Sequence, residues 1–246
     1  MIRLEQRGNV AKLVIDNPPL NLLSLEMRKE LGRLINKIKE SEVKSLVVTS
    51  VGKALSAGGD VTEFLYTSPK DLLNWGKTVE ALAELSIPTV AVIKGYALGA
   101  GLEIALACDI RIAAKDAVLG LPEVKLGMIP ASGGLTRFVK LLGPRSLYYL
   151  LLGRRVTAEE ASRLGLVDEV AEDPDARADA LAEELAKLPP LAVKAIKDAV
   201  YAALDSPLYA GYLIERALFG LLRHSQDFQE GIRAFKEKRN PIYKGE

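Results

Sequence analysis

The 246-residue chain has one cysteine, Cys108, and one histidine, His224. A lone cysteine forms no internal disulfide, and a Cys/His zinc site lacks the ligands to build it, so no metal is expected. Cys108 follows the apolar run Ile104–Ala107, which marks a small core residue rather than a nucleophile. His224 sits at the end of a helical pattern, so a Ser-His-Asp triad is not expected. The formal net charge is only +1. With no basic stripe interleaved with aromatics, nothing argues for nucleic acid as a partner. No apolar run reaches membrane-spanning length, and Met1-Ile2-Arg3-Leu4-Glu5 reads as a strand rather than a leader. The expectation is a cytoplasmic protein without a membrane partner. Glutamine, asparagine and methionine are sparse, a trait shared with thermophilic proteins.

What is present suits a globular chain: 49% hydrophobic and 26% charged residues, enough for one sizeable core. A hairpin is predicted from Ile2–Gln6, a Gly8-Asn9 turn and Val10–Ile15. Ser24 caps a helix over Leu25–Ile38, with Leu31, Leu34, Ile35 and Ile38 on one face. Strands follow at Ser45–Thr49 and Thr89–Ile93, separated by a helix from Ser68-Pro69 to about Leu85. Gly101–Cys108 reads as a buried helix, and Ile110–Ala113 with Ala117–Leu119 as a short strand pair. Helices are predicted over Leu135–Leu142 and from Pro144. Thr157 and Glu160 propose a capping box for a helix ending near Gly165. This alternation makes the chain α/β. From Pro174 onward the pattern is almost entirely helical, with Pro189-Pro190 as a boundary. The organisation expected is an α/β core over 1–190 and a helical region over 191–246.

Two loops carry the chemistry. Ala57-Gly58-Gly59-Asp60 and Gly99-Ala100-Gly101-Leu102-Glu103 each follow a strand-like run with small residues. Such loops let a ligand approach the backbone, and two of them can aim two N–H donors at one oxygen. Phosphate binding fails on spacing, because Ile104 interrupts a dinucleotide fingerprint and no P-loop run exists. Each loop alone reads better as a tight turn, since small residues punctuate most α/β folds. Glu103, however, falls one helical turn after Ala100, inside an apolar segment where a carboxylate is costly without a partner or a task. Glu123, in Leu121-Pro122-Glu123, reads either as a surface residue or as the lining of a pocket.

Ala54–Asp60, Lys94–Glu103 and Leu121–Pro130 resemble motifs of the crotonase (enoyl-CoA hydratase/isomerase) superfamily. Ala107–Arg111, Thr157–Val167 and the closing Glu230–Arg239 are also similar to it, in the family's order. The resemblance implies a spiral of β-β-α turns ending in a helical region that builds homotrimers, often paired into hexamers. It implies an acyl-CoA substrate, with coenzyme A as part of that substrate and no separate cofactor. Its thioester carbonyl would be held by the N–H groups of Ala57 and Ala100, with Gly58, Gly59 and Asp60 alongside. Gly59 stands where relatives often have alanine, a difference expected to matter little. Leu121 stands where glutamine is common. Glu103 and Glu123 match the two catalytic glutamates of hydratases, with Glu103 assigned to water and Glu123 to Cα protonation. Phe235 and Lys238 would reach coenzyme A, from a neighbouring subunit. Hydration of a 2-enoyl-CoA in fatty acid β-oxidation is the leading expectation. Isomerisation, a cyclic dienoyl or branched substrate, and non-catalytic RNA binding are the alternatives.

Overall fold

The computed structural model describes residues 1–246. Nine strands follow in chain order: β1 (Ile2–Arg7), β2 (Val10–Ile15), β3 (Ser45–Ser50), β4 (Thr89–Ile93), β5 (Tyr96–Leu98), β6 (Ile110–Ala114), β7 (Val118–Gly120), β8 (Arg155–Thr157) and β9 (Glu169–Ala171). The first two form the expected hairpin, antiparallel with Arg7 opposite Val10. The main sheet has the order β1-β2-β3-β4-β6-β9, and every pair after the hairpin is parallel. All residues of β3 and β4 are buried, as a parallel sheet covered on both faces requires.

Helices fill the connections. In α1 (Leu25–Lys39), Ser24 Oγ accepts from Met27 N, and Leu31, Ile35 and Ile38 are buried. In α2 (Pro69–Ala83), Pro69 occupies the first turn, and Ser68 Oγ accepts from Asp71 N. All eight residues of α3 (Ala100–Ala107) are buried. The chain continues through α4 (Gly134–Leu142), α5 (Ser146–Leu152), α6 (Ala158–Arg163) and α7 (Pro174–Leu185). On one face of the main sheet Ala178 and Ala182 of α7 pack against Val47, Val90, Val92 and Ile112. The larger core lies on the other face, where Leu46, Val48 and Ile93 meet Leu31, Val79 and Leu102.

A second layer repeats the parallel order of the first. Leu23 bridges Gly59, Ser56 bridges Ala97, and β5 pairs in parallel with β7, which β8 joins antiparallel. Each turn therefore adds a strand to the main sheet, a short extended piece to the second layer and then a helix. This is the α/β spiral of β-β-α turns. Its consequence is that residues 57–59 and the start of α3 lie side by side although about forty positions separate them.

The strand pair expected from Ile110–Ala113 and Ala117–Leu119 does not form. β6 joins β4 and β9, while β7 joins β5 and β8, because each belongs to a different layer. The capping box of α6 is half made: Thr157 Oγ1 accepts from Glu160 N, but the Glu160 carboxylate accepts from Tyr149 Oη instead. Beyond Pro189 lie α8 (Pro190–Asp205), α9 (Leu208–Leu222) and α10 (Gln226–Glu237). Lys197 ties α8 to the core through Asp109 and Ile87 O, and Asp227 of α10 accepts from Lys244 N and Gly245 N. No residue of α9 is buried. No helix is long and apolar enough to cross a membrane.

Candidate active site

A cavity of about 200 Å³ opens where the two small-residue loops meet. Gly58, Gly59, Ala100, Glu103 and Glu123 all line it. The loops approach closely because two glycines take backbone conformations that side chains rarely adopt. Gly58 has φ 116° and Gly99 φ 51°, and a Cβ on Gly99 would stand 3.2 Å from Glu123 Oε1. A wider depression of about 410 Å³ is lined by Glu80, Arg137, Lys197 and Tyr201 and holds none of the candidate residues.

The hydrogen bonds correct one assignment. Ala57 N–H donates to Leu20 O at 2.8 Å, so it is engaged within the protein. Gly58 N–H is likewise taken, by Ser56 Oγ at 3.1 Å. The N–H of Gly59 meets no protein acceptor, and neither does that of Ala100, the first residue of α3. The free pair is therefore Gly59 and Ala100, one from each loop. Ala57 lines the cavity but has no N–H to offer it. Asp60 does not line the cavity; its carboxylate accepts from Thr62 N and Thr62 Oγ1 and braces the turn.

The two glutamates differ in environment. Glu103 is buried, with Oε1 accepting from Ser132 N at 2.9 Å and Oε2 accepting from Trp75 Nε1 at 3.2 Å. Both oxygens of Glu103 are therefore engaged by protein donors. Glu123 lies in a 3-10 turn over Glu123–Leu126. Its Oε2 is buried and has no hydrogen-bond partner. Burial pushes this carboxyl up from 4.5 to about 7, with the charge of Glu103 adding to the rise and a backbone hydrogen bond opposing it. One cavity thus holds a carboxylate supported by donors and a carboxyl that retains its proton close to neutrality, the pairing general acid–base chemistry uses.

Three further residues complete the site. Trp75 and Ser132 hold Glu103, and Arg28 of α1 lines the cavity while only 5% exposed. Arg28 continues the stripe of Leu31, Ile35 and Ile38 toward the helix start, a signal visible in the spacing. Leu121 is buried at the end of β7, beside the turn that carries Glu123. Phe235 and Lys238, by contrast, do not line the cavity of their own chain, and Phe235 is 84% exposed. Cys108 is buried and its thiol is pushed up to about 12 by that burial, which removes it as a nucleophile.

Known proteins share this sequence pattern and fold. Residues 5–246 match the family described as enoyl-CoA hydratase/isomerase. An enoyl-CoA hydratase from Bacillus anthracis superposes with a TM-score of 0.94 at 35% identity, covering 100% of this chain and 99% of its own. One from Thermoplasma volcanium GSS1 gives a TM-score of 0.88 at 32% identity over 95% and 96% of the two chains. A carnitinyl-CoA dehydratase of Salmonella heidelberg (strain SL476) is 34% identical over 99% of this chain and 98% of its own. The chain belongs to the enoyl-CoA hydratase/isomerase family, the crotonase family, whose members act on acyl-CoA substrates.

Proposed function

We propose that this protein is an enoyl-CoA hydratase, adding water across the α,β double bond of a 2-enoyl-CoA to give a 3-hydroxyacyl-CoA. The observation that carries the proposal is the pair of unlike carboxyl groups facing one cavity with two unpartnered N–H groups. The thioester oxygen accepts from Gly59 N–H and Ala100 N–H, which polarises the enoyl system. Glu103 takes a proton from a water molecule as the water oxygen bonds to Cβ. The π electrons move onto the thioester as an enolate, whose charge the two N–H groups hold. Glu123 then gives its proton to Cα and the carbonyl re-forms. One hydrogen and one hydroxyl have been added, and one proton has passed from water to the glutamate pair while another left it.

Division of labour follows the environments. Glu103, held by two donors, suits the base; Glu123, protonated up to about pH 7, suits the acid. The test is to mix the protein with crotonyl-CoA and follow the conjugated thioester absorbance. Steady loss of absorbance supports hydration; a stable signal across acyl lengths contradicts it.

Phe235 and Lys238 are assigned to the coenzyme A of a neighbouring copy, in an oligomer built over the uncovered face of α9. Leu208, Phe219 and Leu221 are each more than three-fifths exposed there, an apolar surface of the kind that marks an interface. Sedimentation equilibrium is expected to give the mass of three copies or a multiple of three; a monomer mass contradicts the assignment.

A further inference from the structure

Arg28 carries its charge to the wall of the cavity with no carboxylate in ion-pair contact, and the charges of Glu103 and Glu63 act on it only from farther away. Its side chain is 95% covered, as its 5% exposure shows, and its guanidinium carbon lies 5.0 Å from the ring centroids of both Phe64 and Trp75. Nε donates to Leu23 O at 3.2 Å, whereas Nη1 and Nη2 donate to nothing in the protein. The nearest carboxylates are already engaged. Glu63 accepts from Leu25 N at 2.7 Å at the start of α1, and Glu103 accepts from Ser132 and Trp75. Neither forms an ion pair with Arg28 within 4 Å. A buried charge of this kind is expensive unless a partner of opposite sign reaches it.

The surrounding backbone makes room for it. A Cβ on Gly59 would stand 1.9 Å from Arg28 Nη2 and 2.9 Å from Phe64 Cζ. An alanine at 59 would therefore displace the guanidinium from its present place. Glycine there sets the two free Nη groups beside the loop whose N–H faces the substrate carbonyl. The rest of the wall is apolar, with Val61, Leu72, Met128 and Ile129 among its residues. A neutral acyl chain would satisfy that wall and leave both Nη groups without an acceptor, whereas a carboxylate would accept from both at once.

We propose that Arg28 is a specificity-determining residue that binds a carboxylate on the acyl group, so that the protein takes short enoyl thioesters of dicarboxylic acids. The proposal rests on the thioester reading of the cavity. It accounts for the buried guanidinium and for Gly59 together, since alanine at 59 and arginine at 28 cannot occupy their present positions at once.

Calorimetric titration with two saturated, unreactive thioesters of equal carbon number, glutaryl-CoA and pentanoyl-CoA, tests it without turnover. Wild type is expected to bind glutaryl-CoA at least about tenfold more tightly, the usual worth of a charge-assisted hydrogen bond. Arg28→Met is expected to bring the ratio of the two affinities to one or below. Arg28→Lys is expected to retain part of the preference. Gly59→Ala keeps its N–H but displaces the guanidinium, and is expected to lower the ratio as Arg28→Met does. A ratio within one variant is insensitive to a partly folded fraction. A wild-type ratio of one, or an unchanged ratio in Arg28→Met, overturns the proposal. Failure of wild type to bind either thioester would overturn the thioester reading itself.

Discussion

On the α3 side of the cavity, Glu103 sits in a helix with every residue buried and receives hydrogen bonds from Ser132 and Trp75. On the other side, Glu123 rides on a single 3-10 turn, and its Oε2 receives none. The sequence already sets them apart, Glu103 in an apolar helix and Glu123 in a proline-bearing loop. Their surroundings make them unequal: donors engage both oxygens of one, and burial raises the carboxyl of the other to about 7. In the proposed reaction, acid and base roles come from position in the spiral rather than from residue type.

The largest effects should come from erasing the inequality. Glu103→Gln and Glu123→Gln keep shape but remove the base and the acid in turn, and each is expected to lower kcat for crotonyl-CoA by about 10²–10⁴-fold. Both variants should still bind butyryl-CoA in calorimetric titration. Near-wild-type turnover in either would break the two-carboxylate comparison. A somewhat smaller effect is expected from Ala100→Pro, since proline at the first helical position removes the N–H and is compatible with the helix. Losing one such donor typically costs about 10²–10³-fold in kcat. An unchanged rate would show that the Ala100 N–H does not hold the thioester oxygen.

The smallest effect concerns stability. The folded Glu123 carboxyl titrates at about 7 against 4.5 when exposed. A raised folded value means stability that is present below pH 4.5 and is lost as pH rises to about 7, because the unfolded chain ionises first. Glu123→Gln has no such proton to lose. The fall in Tm between pH 4.5 and 7 should therefore be shallower in the variant, measured by thermal melts in matched buffers. Parallel curves for the two proteins would remove the burial account of Glu123.

Much of the spiral was legible because its strands are strongly β-branched and its helices carry clear caps. The boundaries of β2 and β4 fall where the patterns place them, and Ser24, Ser68 and Thr157 all cap as expected. Strands β5, β8 and β9 were missed because three residues hold too little periodicity, and only their neighbours in space make them strands. The helices α3 and α9 show the same limit in another form. Both are apolar, yet all residues of α3 are buried and none of α9, since burial depends on what packs against a helix.

At the site, Glu103, Glu123 and Ala100 were found from motif and spacing, and they do line one cavity. The second N–H donor was misplaced by two residues. Ala57 looks as accessible as Gly59 in the sequence, and only the fold reveals that Leu20 O already occupies the N–H of Ala57. Arg28 was passed over for a different reason. It lies on the apolar stripe of α1, where a single charged residue looks like a solvated interruption until Phe64 and Trp75 are seen beside it.

The central claim is tested most directly by incubating wild type and Glu123→Gln with crotonyl-CoA at pH 6.5 and quantifying 3-hydroxybutyryl-CoA by chromatography. The account predicts rapid product formation by wild type and a rate lower by at least about 10²-fold in the variant. No 3-hydroxybutyryl-CoA from wild type, or equal rates in the two proteins, would contradict it.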